Sequence, residues 1–260
     1  MSGRALEDKK ARALEDKTAI VTGASRGIGK SIAAAFVREG ARVAICGRKQ
    51  ATLDLVAHEL GPAVKPVVCH VGRPAEIDAM LDTVSREFGP VDILVNNAGT
   101  NIAQCPCTEM TDAQFDKMVE INLKSAWRFM NRIAPGMAAR GSGSIINIAS
   151  ISGIRPQFHG MLYSMTKAAL IMMTQSYALE LGPSGVRVNT IAPGLVQTAL
   201  SEYYWADESR ATAQMARQPI RHLGQPAEIA GIAVLLASAE SSYLTGQTIV
   251  VDGGMLLTSI

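Results

Sequence analysis

Short apolar runs alternate with amphipathic segments along almost the whole chain. TAIVTG at 18–23 is brief, apolar and closed by glycine, which predicts a buried strand. In SIAAAFVREG (31–40), Ile32, Phe36 and Val37 share one face at helical spacing and Gly40 supplies a stop. The alternation repeats as strand 42–46, helix 50–61, strand 64–71, helix 74–89 and strand 91–97. Pro74 opens the third of these helices and Gly89 closes it. After a longer loop, Thr111 and Gln114 form a capping-box pattern and open a helix expected to run to about Arg140. Strand 144–150, helix 163–182, strand 186–194, helix 226–238 and strand 247–254 complete the series. Such alternation predicts an α/β fold: one doubly wound, Rossmann-type domain with a seven-stranded parallel sheet and helices on both faces.

Composition narrows the function classes. The chain has 260 residues, 48% apolar and 18% charged, which suits a folded domain rather than a disordered one. The net charge of +2 comes with no basic block, so no nucleic-acid partner is expected. No apolar run reaches membrane-spanning length, so no membrane association is expected. The N-terminal MSGRALEDKKARALEDK lacks the apolar centre of a secretory signal. RALEDK occurs at 4–9 and 12–17, and only the second copy abuts a strand. Residues 1–14 are therefore expected to be an extension and 15–260 the domain. Cys46, Cys69, Cys105 and Cys107 read as reduced thiols. The C-P-C at 105–107 has no second Cys/His pair at ligand spacing, so no metal is expected. His58, His70, His159 and His222 form no ligand motif.

Open α/β sheets take ligands at the carboxyl ends of their strands, so those ends carry the functional information. The first is TGASRGIG (22–29), with Gly23, Ser25, Arg26, Gly27, Ile28 and Gly29 between a strand and a helix. Glycines there let the backbone turn and approach a phosphate, and the helix start points free N–H groups at it. The second strand ends at CGRK, where an NAD site usually holds a carboxylate. Gly47 stands there instead, followed by Arg48 and Lys49, with Arg26 in the first loop. This suits the 2′-phosphate of NADP, although a solvated basic turn has the same composition. His70 and Val71 follow the third strand. Asn97, Ala98 and Gly99 follow the fourth, where Asn97 can hold backbone groups and the small residues leave room for a ligand.

YSMTK (163–167) places Tyr163 and Lys167 at i and i+4, on one helix face. A cation there favours the phenolate and lowers the tyrosine pKa. Taken alone, the pair fits a surface tyrosine and lysine better than a catalytic couple. Together, however, TGASRGIG, NNAG, Asn122, Ser150, YSMTK and PGLVQT (193–198) resemble the short-chain dehydrogenase/reductase family in order and spacing, over about residues 15–254. Ser150 lies thirteen residues before Tyr163, as in that family. The resemblance implies Tyr163 as proton donor to a carbonyl, Ser150 as its hydrogen-bonding partner, and Lys167 on the nicotinamide ribose. It implies Asn122 holding a water that links Lys167 to solvent. Pro193 and Gly194 would lie at the nicotinamide, Val196 and Thr198 at its carboxamide, and His70 where the family often has an adenine-binding aspartate. It also implies a homotetramer built on the two long helices.

CHVG, SEYYWADES and PIRHLGQPAEIAG are similar to the NADPH-dependent carbonyl reductase and retinol dehydrogenase branch. The final TSI does not resemble a peroxisomal signal, so a cytoplasmic protein is expected. A lid at about 195–218 carries Tyr203, Tyr204, Trp205 and Met215. These aromatics either form a hydrophobic substrate wall or pack the lid itself. The expected reaction is NADP(H)-dependent interconversion of a hydrophobic or aromatic carbonyl and its alcohol. A 3-oxoacyl-carrier-protein reductase, supported by Arg140 and Arg187, and a sugar or polyol dehydrogenase are the rivals; a non-catalytic NADP sensor is disfavoured by the intact Ser150, Tyr163 and Lys167.

Overall fold

The structure is a computed structural model that describes residues 12–216 and 218–258. The first RALEDK copy and the last two residues lie outside the described residues. Strands β1 (Thr18–Thr22), β2 (Arg42–Gly47), β3 (Val64–Val68), β4 (Ile93–Asn96), β5 (Gly143–Ile148), β6 (Val186–Pro193) and β7 (Thr248–Val251) form one parallel sheet, ordered β3-β2-β1-β4-β5-β6-β7. The chain builds outward from β1 to β3, then returns to place β4 on the other side of β1. That reversal opens a crevice beyond the carboxyl ends of β1 and β4.

Helices α1 (Gly27–Arg38), α2 (Gln50–Leu60) and α7 (Pro226–Ala237) cover one face; α3 (Pro74–Phe88), α5 (Ser125–Ala139) and α6 (Met161–Leu181) cover the other. Because both faces are buried, neighbouring strand residues are apolar in both directions. Ala19 and Val21 face the α1 side, and Ile20 the α3 side. Leu14 is buried, and its N–H donates to Glu39 O, so packed chain begins slightly before the expected boundary at residue 15.

Three sequence expectations need correction. Helix α1 begins at Gly27, before the apolar repeat at 31, because the glycine-rich turn supplies its first turn. Strand β3 stops at Val68, short of 71. The helix expected over 111–140 is divided. Thr111 and Gln114 do form the capping box of α4 (Asp112–Val119), but a π-turn at Glu120–Lys124 separates α4 from α5. Asn122 sits in that turn, a wider backbone register common at functional positions.

A buried polar chain crosses the sheet below the crevice. Asn96 Nδ2 donates to Asn147 Oδ1, Asn147 Nδ2 donates to Thr174 Oγ1, and Thr190 Oγ1 donates to the same Thr174 oxygen. It ties β4, β5, α6 and β6 together where hydrophobic patterning alone would place apolar groups. Asn147→Leu would strand the Asn96 amide and remove a donor from Thr174. It is expected to cost about 3 kcal/mol of unfolding free energy in denaturant titration; a loss below about 0.5 kcal/mol would mean the chain does not stabilise the sheet.

Candidate active site

The turn after β1 is shaped by close approach. Gly23 and Gly27 have φ of +65° and +58°. A Cβ on Gly23 would lie 2.9 Å from Ala98 Cα, and one on Gly29 would lie 2.4 Å from Asn97 Nδ2. The loop after β4 is latched to this turn. Thr22 Oγ1 accepts from the N–H groups of Asn97 at 2.9 Å and Ala98 at 3.0 Å, while Asn97 Nδ2 donates to Thr22 O at 2.8 Å.

A 350 Å³ cleft opens above the latch. Its wall brings together Gly23, Ser25, Arg26, Gly27, Ile28, Arg48, His70, Val71, Asn97, Ala98, Gly99 and Thr198, all expected from sequence. Lys117, from α4, also lines it and was missed; in sequence it is one more surface lysine. Arg26, Arg48 and Lys117 are its charged side chains, with no Asp or Glu among the lining residues. Such a cleft attracts a polyanion. Lys49 is not on its wall: it precedes α2 as the N-cap, its carbonyl accepts from Thr52 Oγ1, and its side chain is exposed. Gly29 serves packing rather than lining. His70 accepts the Gly72 N–H at Nδ1, so Nε2 carries the proton and is a donor.

Beside the cleft stands a second set. Ser150 follows β5, and its Oγ accepts the Ser152 N–H at 3.1 Å. Tyr163 and Lys167 project from α6, with Lys167 Nζ 5.6 Å from the Tyr163 ring centroid and donating to Ile148 O at 2.8 Å. Lys167 is only 4% exposed, and burial lowers its pKa to about 8. Burial also pushes the Tyr163 phenol up to about 12; the nearby Tyr204 raises it too, and hydrogen bonding with Ser150 works against both. The expected lowering of the Tyr163 pKa is therefore reversed in the protein alone, because desolvation outweighs neighbouring groups. The phenol stays protonated at neutral pH, the form that can give a proton away.

Asn122 is buried beneath this set. Its Oδ1 accepts the Thr100 N–H at 2.8 Å, and its Nδ2 donates to Thr100 O and Thr166 Oγ1. The side-chain amide is spent on protein, so a water held by Asn122 would rest on its main chain. A Cβ on Gly99 would lie 3.6 Å from both Asn122 Oδ1 and Lys167 Nζ, which makes Gly99 the seam between cleft and catalytic set.

A 640 Å³ cavity extends from Ser150, Tyr163 and Gly194 toward the lid. Tyr203 and Tyr204 line it, whereas Trp205 turns its Nε1–H to Thr198 O and Ser201 Oγ and pins the lid. The lid aromatics thus divide between the two roles left open by sequence. Tyr204 OH accepts from Gln104 and Gln157, joining the lid to two loops across the cavity. The far wall is Met255 and Leu256, held by Asp252, whose carboxylate accepts the N–H groups of Gly254 and Leu256 at 2.8 Å. Sequence reading missed this wall, since no motif marks it. Asn101 lines the same cavity, and its buried side-chain oxygen has no hydrogen-bond partner among the described residues. Pro193 is buried at the end of β6, and Val196 lines a separate 120 Å³ pocket with Leu195, Val251 and Asp252.

Comparison with known proteins gives consistent results. The model of a family described as Enoyl-(Acyl carrier protein) reductase matches residues 23–256. The chain is 38% identical to dehydrogenase/reductase SDR family member 4 of Oryctolagus cuniculus over 93% of this chain and 94% of that protein. It is 39% identical to the 3-oxoacyl-(acyl-carrier-protein) reductase FabG of Vibrio cholerae, over 94% of this chain and 99% of that one. The structure of a gluconate 5-dehydrogenase from Burkholderia cenocepacia, in complex with NADP and tartrate, superposes with a TM-score of 0.90. That protein is 30% identical, and the match covers 96% of this chain and 98% of that one.

The buried lysine has a measurable consequence for stability. Its folded pKa of about 8 lies below its unfolded value of 10.5, so between them the unfolded chain binds more protons and stability rises with pH. From pH 8 to pH 10, the unfolding free energy of the protein minus that of Lys167→Met is expected to increase by about 2 kcal/mol. A difference independent of pH would show that Lys167 titrates normally.

Proposed function

Because the chain belongs to the short-chain dehydrogenase/reductase family and is an NADP-dependent oxidoreductase acting on CH–OH groups, we propose that it interconverts a hydrophobic or aromatic carbonyl compound and its alcohol. One observation carries this reading: a cleft with three cations and no acid shares the lining residue Leu200 with a cavity walled by Ser150 and Tyr163.

The cleft residues fit NADP. Gly23 and Gly27 would leave room for a pyrophosphate at the start of α1, and Arg26 and Arg48 would hold the 2′-phosphate by charge-assisted hydrogen bonds. Lys49 lies off the cleft wall, beside Arg48 in sequence. His70, whose Nδ1 accepts the Gly72 N–H, would offer its other ring nitrogen to the adenine. Thr198 and Gly194 border the nicotinamide end, with Val196 and Pro193 supporting them from behind. When bound, the nicotinamide supplies or accepts the hydride.

The remaining chemistry belongs to the chain. Tyr163 gives its proton to the carbonyl oxygen, and Ser150 donates a hydrogen bond to the charge that develops there. Lys167, held by Ile148 O, presents its ammonium to the ribose and to the phenol. Asn122 fixes the loop carrying Gly99 and Thr100, and so the floor on which these groups meet. Burial of Tyr163 keeps the proton in place for reduction.

Ile151, Leu195, Leu200 and Tyr203 supply an apolar cavity wall that favours a hydrophobic carbonyl. The carrier-protein reading keeps only one of its cations at the surface. Arg187 is part-buried and donates to Leu236 O, Ser238 O and Ser241 Oγ, whereas Arg140 is exposed and donates only to Val91 O. Gln104 and Gln157, two of the polar groups a sugar would use, are directed at Tyr204. Exposed Phe115, Trp127, Met172 and Leu179 on α4–α6 suit the contacts of a homotetramer. Four free thiols suit a cytoplasmic protein, and no helix among the described residues is long and apolar enough to cross a membrane.

Arg48→Asp is expected to shift the NADPH/NADH ratio of kcat/KM toward NADH by more than tenfold; an unchanged ratio would remove Arg48 from the phosphate site. Tyr163→Phe is expected to lower kcat for carbonyl reduction at least 100-fold, with NADPH affinity by fluorescence titration within about threefold. Substantial turnover in that variant would exclude Tyr163 as proton donor.

A further inference from the structure

The 640 Å³ cavity contains one permanently charged side chain, Arg155. It lies on the loop just after the turn that Ser150 opens, half-buried, on the route from the catalytic set to the C-terminal wall. Its guanidinium donates through Nη1 to Thr258 O at 2.9 Å and through Nη2 to Met255 O at 3.1 Å. Among the described residues no carboxylate forms an ion pair with it, and no Asp or Glu lines the cavity.

A guanidinium has five N–H donors, so among the described residues two bonds to neutral carbonyls leave three donors and the charge without a counter-ion. Those carbonyls fix the group in place without neutralising it. A charge in a partly desolvated cavity is stabilised most by an anion, and a planar fork matches a carboxylate. Ile151, Leu195, Leu200 and Tyr203 line the same space with apolar surface.

We propose that the substrate is an oxo acid: its carbonyl meets Ser150 and Tyr163, its apolar body lies against that wall, and its carboxylate is bound by Arg155. The assignment rests on the carbonyl reduction proposed above and adds the charged group that selects the substrate. Arg155 is then a specificity residue, placed to fix which end of the molecule faces the catalytic set. Anchoring of the segment at 255–258 is the purely structural alternative, and the two roles predict different kinetics.

The test compares an aryl 2-oxo acid, its methyl ester and its primary amide, each with NADPH. In the unmodified protein, kcat/KM for the acid is expected to exceed that for ester and amide by tenfold or more. Arg155→Gln should lower kcat/KM for the acid by roughly 10- to 100-fold, mainly through KM, the size of one lost charge-assisted hydrogen bond. Ester and amide should fall less than about threefold, and Arg155→Lys should keep part of the preference for the acid. Equal loss on all three compounds would make Arg155 a structural anchor and overturn the proposal, as would a preference for the ester in the unmodified protein. Calorimetric binding of benzoate and benzamide to the NADP complex separates this inference from the reaction. Benzoate binding that disappears in Arg155→Gln supports the carboxylate site even if no carbonyl is turned over, in which case the proposed reduction fails alone. Benzamide binding as tightly as benzoate overturns the site, while turnover of the ester would leave the reduction standing.

Discussion

Thr22 Oγ1 accepts two backbone N–H groups from the loop after β4, and the Asn97 amide donates back across the same gap to the turn after β1. Those bonds hold together the two strand ends between which the sheet reverses its order. The glycine turn cannot then relax outward, and Gly23 and Gly29 have no room for a side chain against Asn97 and Ala98. Beyond Asn97 the same loop supplies Gly99, which touches the catalytic set, and Thr100, which Asn122 grips. One small latch therefore sets the relative position of the anion cleft and the reacting groups. Parallel strands buried on both faces supply the rigidity behind it.

Desolvation governs the chemistry above the latch. Burial shifts the balance of both Lys167 and Tyr163 toward their neutral forms, although the lysine is still an ammonium at neutral pH. The phenol rises to about 12 and the ammonium falls to about 8, each mainly through burial. The lysine is kept in place by one carbonyl, Ile148 O, and has no carboxylate partner among the described residues. Holding this lysine costs stability, since a buried ammonium destabilises the fold at neutral pH. The polar chain from Asn96 to Thr190 is the counterpart: it lies just below, is buried as deeply, and makes internal hydrogen bonds that support the sheet.

The cavity has a different construction from the cleft. The cleft is made of backbone and short side chains on strand ends, whereas the cavity is made by segments distant in sequence meeting at side chains. Tyr204 from the lid reaches Gln104 and Gln157, and Arg155 reaches the carbonyls of Met255 and Thr258. Each contact closes one edge of a space whose floor is Ser150 and Tyr163. Selectivity in such a space depends on which polar groups are satisfied internally. Tyr204 receives two amides, while Arg155 retains its charge.

Strand–helix alternation, the glycine-rich turn, the serine at a strand end and the tyrosine–lysine spacing were all legible in the chain, because each depends on local periodicity or on residues a few positions apart. So was the dominance of cations over acids near CGRK, although Lys49 proved to belong to a helix cap while Lys117, from α4, took a place on the wall. The π-turn at Asn122 was not legible, since helical periodicity passes through 111–140 without a marker and the wider register shows only in backbone pairing. The sign of the Tyr163 shift was misjudged because spacing reports a neighbouring charge but not the depth at which it is buried. Arg155, Asn101 and the wall held by Asp252 lie far apart in sequence from the residues they face, and only folding brings them together. Local order thus determined the architecture and the candidate site residues, while the surroundings that set their ionisation and shape the cavity beside them were decided by tertiary packing, because burial and long-range contact have no local signature.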